Sequence, residues 1–401
     1  MKVNIYGSKD SALRFILSNK NLEINKFIDG KLKEPCYFDL NYVDSPVKYP
    51  VIPLADAEDD LRKFHTIVCC SPESYWGIKK DLETLGFVEF EDFEYFKTFR
   101  KKIAICYGNC NAFGVKAMLE ATPDFYHNYG FYPVLPVYHI TQNNHLKIQV
   151  TEEILNRCDL FLYQMIREQN IYGPEYATSN IVNIIHNNNC QLISIPNYYG
   201  LPKFMFPQCN KCRTEHLNSV EGLLFPFQNL RDFYIDTNYQ KMNVNQLCEM
   251  IAEKDVIDHS HILDLFDEFQ YKLVDREKEL SVKTSSYIFS HFREYQLFYD
   301  PFHPAEKLLS VIANKVLFLI NKNYKYQIDK YYNGGDFALL DSNEIPVYNS
   351  VRKTFDFQFS QPILRRSLLR YSVQHAVTIP LTLKQYVELY LCFNYRNISL
   401  W

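Results

Sequence analysis

The chain has 401 residues, 47% of them apolar, which exceeds one ordinary core and supports two or three domains without disulfides or metals. Its net charge of -4, with both signs interspersed, excludes the basic surface that a nucleic-acid partner requires. Eleven cysteines, no secretory pattern at Met1 to Gly7, and a late apolar run (Val316 to Ile320) too short for a bilayer predict free thiols in the cytoplasm.

In chain order, Lys2 to Tyr6 reads as an apolar strand. Ala12 to Leu17 has helical spacing, and Ile24 to Ile28 alternates like a strand. His65 to Cys70 is a buried strand, followed by an amphipathic helix from Tyr75 to Leu85 that Gly86 ends. This βαβ rhythm implies a parallel sheet, a small Rossmann-like module over residues 1–99. The turn Gly7-Ser8-Lys9-Asp10-Ser11-Ala12 stands where a dinucleotide fingerprint would, but it keeps only the first glycine. A scaffold role is therefore the plainer reading of this module, with a sugar-nucleotide site as the functional alternative.

The basic junction Phe99-Arg100-Lys101-Lys102 sets a boundary, and residues 100–401 form the larger domain. Strands are expected at Ile103–Tyr107, Leu160–Tyr163 and Gln191–Ile195, with helices at Ala112–Glu120 and Ser179–His186. A mostly helical stretch runs from Val244 to Asn321. The last segment, with Gly334-Gly335 and strand-like Phe357–Phe359, reads as an appendage. The 31 Tyr and 30 Phe suit clefts as well as cores.

Gly108-Asn109-Cys110-Asn111 follows its strand directly, and Ala112, Val115, Met118 and Leu119 then share one helical face. Cys110 is thus placed at a helix N-terminus. There the helix dipole favours a nucleophilic thiolate, and unpaired backbone N–H groups can hold an oxyanion. Gly108 permits the sharp turn this needs. A buried structural cysteine fits the same triplet.

Far downstream, His303-Pro304 precedes an amphipathic helix marked by Leu308, Leu309, Ile312 and Val316. Pro304 suits a first helical position, which puts His303 at the helix entrance and predicts a neutral imidazole able to accept a proton. Asp300, three residues earlier, can orient its other nitrogen, an Asp-x-x-His arrangement of SGNH-type hydrolases. Gln164 and Asn197 each follow an apolar strand and would share a sheet rim with Cys110. Gln164 or Asn111 could donate to an oxyanion, whereas Asn197 reads rather as a turn residue.

Taken together, Gly108-Asn109-Cys110, the strand ending in Gln164, Ile195-Pro196-Asn197-Tyr198 and the block Arg293 to Leu309 resemble the WcbI-type capsular polysaccharide acetyltransferases. The likeness covers residues 102 to about 365, with the landmarks in the family's order. It implies an SGNH-like α/β domain with a helical C-terminal part, in which cysteine takes the place of the usual serine. It also implies coenzyme A binding and O-acetylation of a cell-surface polysaccharide. The family's common extension is Gly-Asn-Cys-Gln, whereas this chain has Asn111 in fourth place, still a donor but with shorter reach.

The resulting expectation is an acetyl-coenzyme A-dependent O-acyltransferase, with Cys110 as nucleophile, His303 as base and Asp300 as orienter. Its acceptor is a sugar or polysaccharide, and the N-terminal module holds a sugar nucleotide or docks a partner of the biosynthetic complex. One rival is an esterase or deacetylase using water as acceptor, and another is a non-catalytic carbohydrate-binding scaffold. Lys101, Lys102, Lys116 and Lys203 are cationic candidates for coenzyme A phosphates by location alone. Cys209 and Cys212 with His216, and Cys190 as a fourth ligand, have half the spacing of a zinc site, and no metal is expected. His259-Ser260-His261 and the region of Arg276 read as solvated helix surface.

Overall fold

Strand β1 (Lys2–Gly7) divides its side chains between two apolar clusters, Val3 and Ile5 entering one and Tyr6 the other. Strand β5 (Thr66–Cys69) does the same, with Ile67 and Cys69 on one side and Val68 on the other. A strand buried on both faces needs a continuous apolar run, and such strands belong inside parallel sheets. The computed structural model describes residues 1–7, 9–40, 47–142, 150–210, 230–324, 344–372 and 375–395.

Around β1 and β5 lie β2 (Glu23–Asp29), β3 (Cys36–Leu40), β4 (Val47–Pro53) and β6 (Phe93–Tyr95), in the order β3-β4-β2-β1-β5-β6. All neighbours pair in parallel except β3, which runs antiparallel to β4 at the edge. Helices α1 (Lys9–Ser18), α2 (Glu58–Lys63) and α3 (Pro72–Thr84) make the crossovers. Ser71 starts α3 by accepting the N–H of Ser74, with Pro72 at the first helical position. The parallel, Rossmann-like arrangement expected of the N-terminal region is present. Gly7, at φ +130°, lies opposite Cys69, and a Cβ there would run into the Cys69 carbonyl. The close approach of β5 is by itself sufficient reason for this glycine.

A second sheet has β7 (Lys102–Tyr107) between β8 (Tyr129–Phe131) and β9 (Leu160–Gln164), all parallel. Strand β10 (Gln191–Ile195) begins on the β9 side, where the Gln191 N–H donates to the Asp159 carbonyl at 2.9 Å. The expected line at residue 99 separates the two sheets in sequence. The compact units are instead Met1–Asn109 with Pro123–Leu192, and Cys110–Thr122 with Ile193–Trp401. Within the first unit one cluster takes Tyr6, Val68 and Tyr75 together with Ile105, Tyr132 and Phe161.

The second unit is mainly helical. Helices at Val244–Ala252, His259–Glu277, Ser285–His291 and Glu306–Ile320 fill the stretch expected to be helical. Asn243 and Gln246 form a reciprocal capping box, and Asp258 caps the next helix through the Ser260 N–H, so His259 and His261 sit in an exposed first turn. The phenylalanines make an aromatic core, with ring centroids of Phe204 at 4.9 Å from both Phe266 and Phe269. Helix α4 (Cys110–Glu120) packs along Glu306–Ile320.

Two local expectations are corrected. The helix expected over Ser179–His186 spans only Thr178–Val182, because Asn183, a residue that favours caps and turns, closes it as C-cap. Phe357–Phe359 is not a strand: its rings stack on one another at 4.8 Å and on Phe355 at 5.7 Å, so ring packing replaces strand pairing. The strands of this region are Leu364–Ser372 and His375–Leu381, an antiparallel pair. Gly334 and Gly335 lie outside the described residues. Among those described, no helix is long and apolar enough to cross a membrane.

Candidate active site

Cys110 is the first residue of α4, reached from β7 through Gly108 and Asn109. The first N–H groups of a helix have no intrahelical acceptor, so the sulphur stands beside donors suited to a developing oxyanion. Packing of α4 on the helix Glu306–Ile320 draws the segment before that helix toward Cys110. The His303 imidazole is there close enough to the Cys110 sulphur for the two to interact electrostatically.

His303 sits in a tight loop that Asp300 organises. One Asp300 oxygen, Oδ1, accepts the backbone N–H of Phe302 at 2.6 Å and of His303 at 2.8 Å. The other, Oδ2, lies 2.8 Å from His303 Nδ1. With Nδ1 committed to Asp300, Nε2 is the ring nitrogen left for the sulphur. The loop is closed behind by Tyr299 N–H donating to the His303 carbonyl at 3.0 Å and Ala305 N–H to the Leu297 carbonyl at 2.8 Å. The Asp300 side chain is 2% exposed and that of His303 20%, so the carboxylate is shielded while the imidazole remains reachable.

The His303 pKa moves in the direction opposite to that of the neutral imidazole expected of it. Burial opposes its charge, but the Asp300 carboxylate and the Cys110 sulphur outweigh that and hold the imidazole well above the ordinary histidine range. The helix begins at Glu306 with Ala305 as N-cap, so Pro304 is not its first residue and His303 lies outside its first turn. The dipole that would disfavour an imidazolium therefore does not start at His303, whereas the Asp300 carboxylate bonds directly to its ring.

Asn111 is 2% exposed. Its Nδ2 donates to the Phe302 carbonyl at 3.2 Å, and its Oδ1 accepts from Cys110 Sγ at 3.7 Å. The amide therefore ties the start of α4 to the histidine loop. Asn197 behaves as a turn residue: its Oδ1 accepts the Tyr199 N–H at 3.0 Å, and its carbonyl accepts from Arg276 Nη1 at 3.2 Å. The second unit thus brings Cys110, Asn111, Asp300 and His303 together.

Gly108, Asn109 and Gln164 belong to the first unit. There the Gly108 carbonyl accepts the Val137 N–H at 3.0 Å, and Asn109 N–H donates to Gln164 Oε1 at 3.0 Å. Gln164 is 1% exposed, and its carbonyl oxygen is used to order the turn before Cys110. The Asn109 N–H is thereby committed to that turn.

Of the lysines placed by location, Lys101 and Lys102 rest over the rings of Tyr126 and Tyr129, at 3.6 and 5.7 Å from the centroids. Lys116 is buried in α4 over Phe113, which removes it from a solvent-facing phosphate site, and Lys203 is exposed. Cys212 and His216 lie outside the described residues. Among those described, no three His, Cys, Asp or Glu side chains are placed to hold a metal. Sequence reasoning missed the contact of Phe302 with Tyr199, ring centroids 4.5 Å apart, because neither pattern nor spacing records a contact between two loops.

No curated protein matches the chain significantly. A solved structure of WcbI matches at 18% identity over 73% of this chain and 90% of its own, with a TM-score of 0.49. It is described as a novel polysaccharide biosynthesis enzyme, in native form without a disulfide bond between coenzyme A and one of its cysteines. The family model for the polysaccharide biosynthesis enzyme WcbI matches residues 103–323, more than half of the sequence, and the protein belongs to the WcbI family of polysaccharide biosynthesis enzymes.

Proposed function

We propose that this protein is an O-acyltransferase that moves an acetyl group from acetyl-coenzyme A to a sugar hydroxyl during polysaccharide assembly. The observation that carries the reading is the chain of contacts from Cys110 at the start of α4 through His303 to the buried Asp300. A thiol nucleophile, a base and an orienter in hydrogen-bond sequence is the arrangement that acyl transfer uses.

In this mechanism Cys110, its proton held on His303, attacks the thioester carbonyl while the first N–H groups of α4 receive the negative charge on oxygen. The carbon–sulphur bond to coenzyme A breaks, and His303 gives its proton to the departing thiolate. The acetyl group is then on Cys110, and His303 is neutral. His303 next takes the proton of a sugar hydroxyl, whose oxygen attacks the acetyl carbonyl and releases the Cys110 sulphur. One acetyl group has moved, and the cysteine–histidine pair is back in its starting state. Asp300 keeps the ring oriented throughout and compensates the imidazolium in the states that carry one.

The test is calorimetry with coenzyme A and acetyl-coenzyme A, combined with mass spectrometry of the acetylated protein. The expected outcome is binding of both and an acetyl adduct on the peptide containing Cys110. Cys110→Ala should abolish the adduct and slow acetyl release by at least about a thousandfold. An adduct elsewhere, or release that ignores the substitution, would sink the nucleophile assignment. Failure to bind either compound would turn the reading toward an esterase.

A further inference from the structure

The loop that carries His303 also carries an aromatic face that the transfer chemistry leaves unused. Phe302, immediately before His303, stacks on Tyr199 with ring centroids 4.5 Å apart and planes tilted by 31°. Tyr199 keeps 45% of its surface exposed, so a ring is offered outward.

Both rings are rigidly mounted. The turn bearing Tyr199 is held by the Asn197 side chain and Arg276, and by Gly200, at φ +70°, whose N–H donates to the Pro301 carbonyl at 2.9 Å. Tyr198 anchors the turn from inside, fully buried, with its hydroxyl 2.6 Å from Thr284 Oγ1. On the other side the Phe302 N–H is bonded to Asp300 and its carbonyl to Asn111. The groups that fix the cysteine–histidine pair therefore also fix the platform.

We propose that the Tyr199–Phe302 pair is the surface on which the acceptor sugar ring lies while His303 addresses one of its hydroxyls, an inference that rests on the acyl-transfer reading. A pyranose presents a face of C–H groups that packs on an aromatic ring, while its hydroxyls stay at the rim for hydrogen bonds. Phe302 and His303 are neighbours on one loop, so the platform and the base are carried together. The adenine of coenzyme A is a full pantetheine arm from its thioester, so the ring-shaped group at hand is the sugar. Because the platform is preformed, little ordering is needed on binding.

Saturation-transfer NMR on the full chain, with the methyl glycosides of glucose, galactose, mannose and N-acetylglucosamine, reads sugar contact without requiring turnover. The expected result is saturation of the ring C–H protons of at least one glycoside. Tyr199→Ala should weaken its affinity roughly five- to tenfold, and Tyr199→Phe should keep it. Tyr199→Leu, which retains apolar bulk against Phe302, should lose contact as alanine does, and guards against a folding defect. No saturation of any glycoside, or contact that survives Tyr199→Leu, overturns the platform. Weakened coenzyme A binding with sugar contact intact assigns the rings to the donor and overturns it as well. Sugar contact that needs Tyr199, without acetyl transfer through Cys110, keeps the platform and discards only the transferase reading.

Discussion

At the scale of single residues, His303 combines two demands that pull apart. As neighbour of the Cys110 sulphur its pKa is raised well above the ordinary range by Asp300 and by the sulphur itself. As base toward a hydroxyl it must become neutral. In the acetylated protein only Asp300 is left to raise the His303 pKa, and the rate of the second half-reaction should rise with pH through the pKa that this carboxylate sets. Replacing the carboxylate in Asp300→Asn removes a charge that raises this pKa, so the rising limb should move to lower pH. A pH–rate profile of both proteins checks this, and a limb that stays in place would mean that Asp300 does not set the histidine's charge. The maximal rate should fall as well, because the asparagine amide no longer compensates the imidazolium.

At the scale of elements, the site depends on two helices meeting and on one amide that fastens them. Asn111 in α4 and Phe302 before the helix Glu306–Ile320 are 191 positions apart, yet joined by a 3.2 Å hydrogen bond. Asn111→Ala leaves the Phe302 carbonyl unpaired in a shielded place, which costs about 1–3 kcal/mol. Urea unfolding should report that loss directly. Activity should fall further than stability, because the loop holding His303 and its neighbour Phe302 loses its tie to Cys110. Equal activity in a destabilised variant would show that α4 and the loop are aligned by packing alone.

At the scale of the whole molecule, stability has its own titration apart from the site. Asp232 is 2% exposed and caps the helix Phe233–Asn238, accepting from Tyr234 N–H at 3.1 Å and Ile235 N–H at 3.0 Å. It also accepts from the Tyr348 hydroxyl at 2.9 Å, 116 positions away. Burial pushes its carboxyl up to about 7 in spite of these donors. The unfolded chain releases this proton near about pH 4, so between there and about pH 7 only the folded state holds it. The contribution of this group to stability is complete below that window and is lost as pH rises through it. Urea unfolding from about pH 5 to about pH 8 should show stability declining in the wild type, with a flatter profile for Asp232→Asn, which keeps the cap. Parallel profiles would contradict this assignment.

The sequence by itself determined the elements and singled out the residues proposed to react. Strand β7, its turn and α4 are local events, written in an apolar run, a glycine and a helical period, so Cys110 could be placed at a helix start from neighbours alone. The same holds for β1 and β5, whose runs of buried residues record a parallel sheet. Periodicity states which face is buried, however, and not against what. The tie between Asn111 and Phe302, the use of Gln164 to order the Asn109 turn, and the stacking of Tyr199 on Phe302 are contacts between segments far apart in sequence. The upward shift of the His303 pKa was invisible for the same reason: a helix start can be read locally, whereas Coulomb energy depends on distances that only folding sets. Tertiary structure decided the partners, and through them the direction in which the His303 pKa moves.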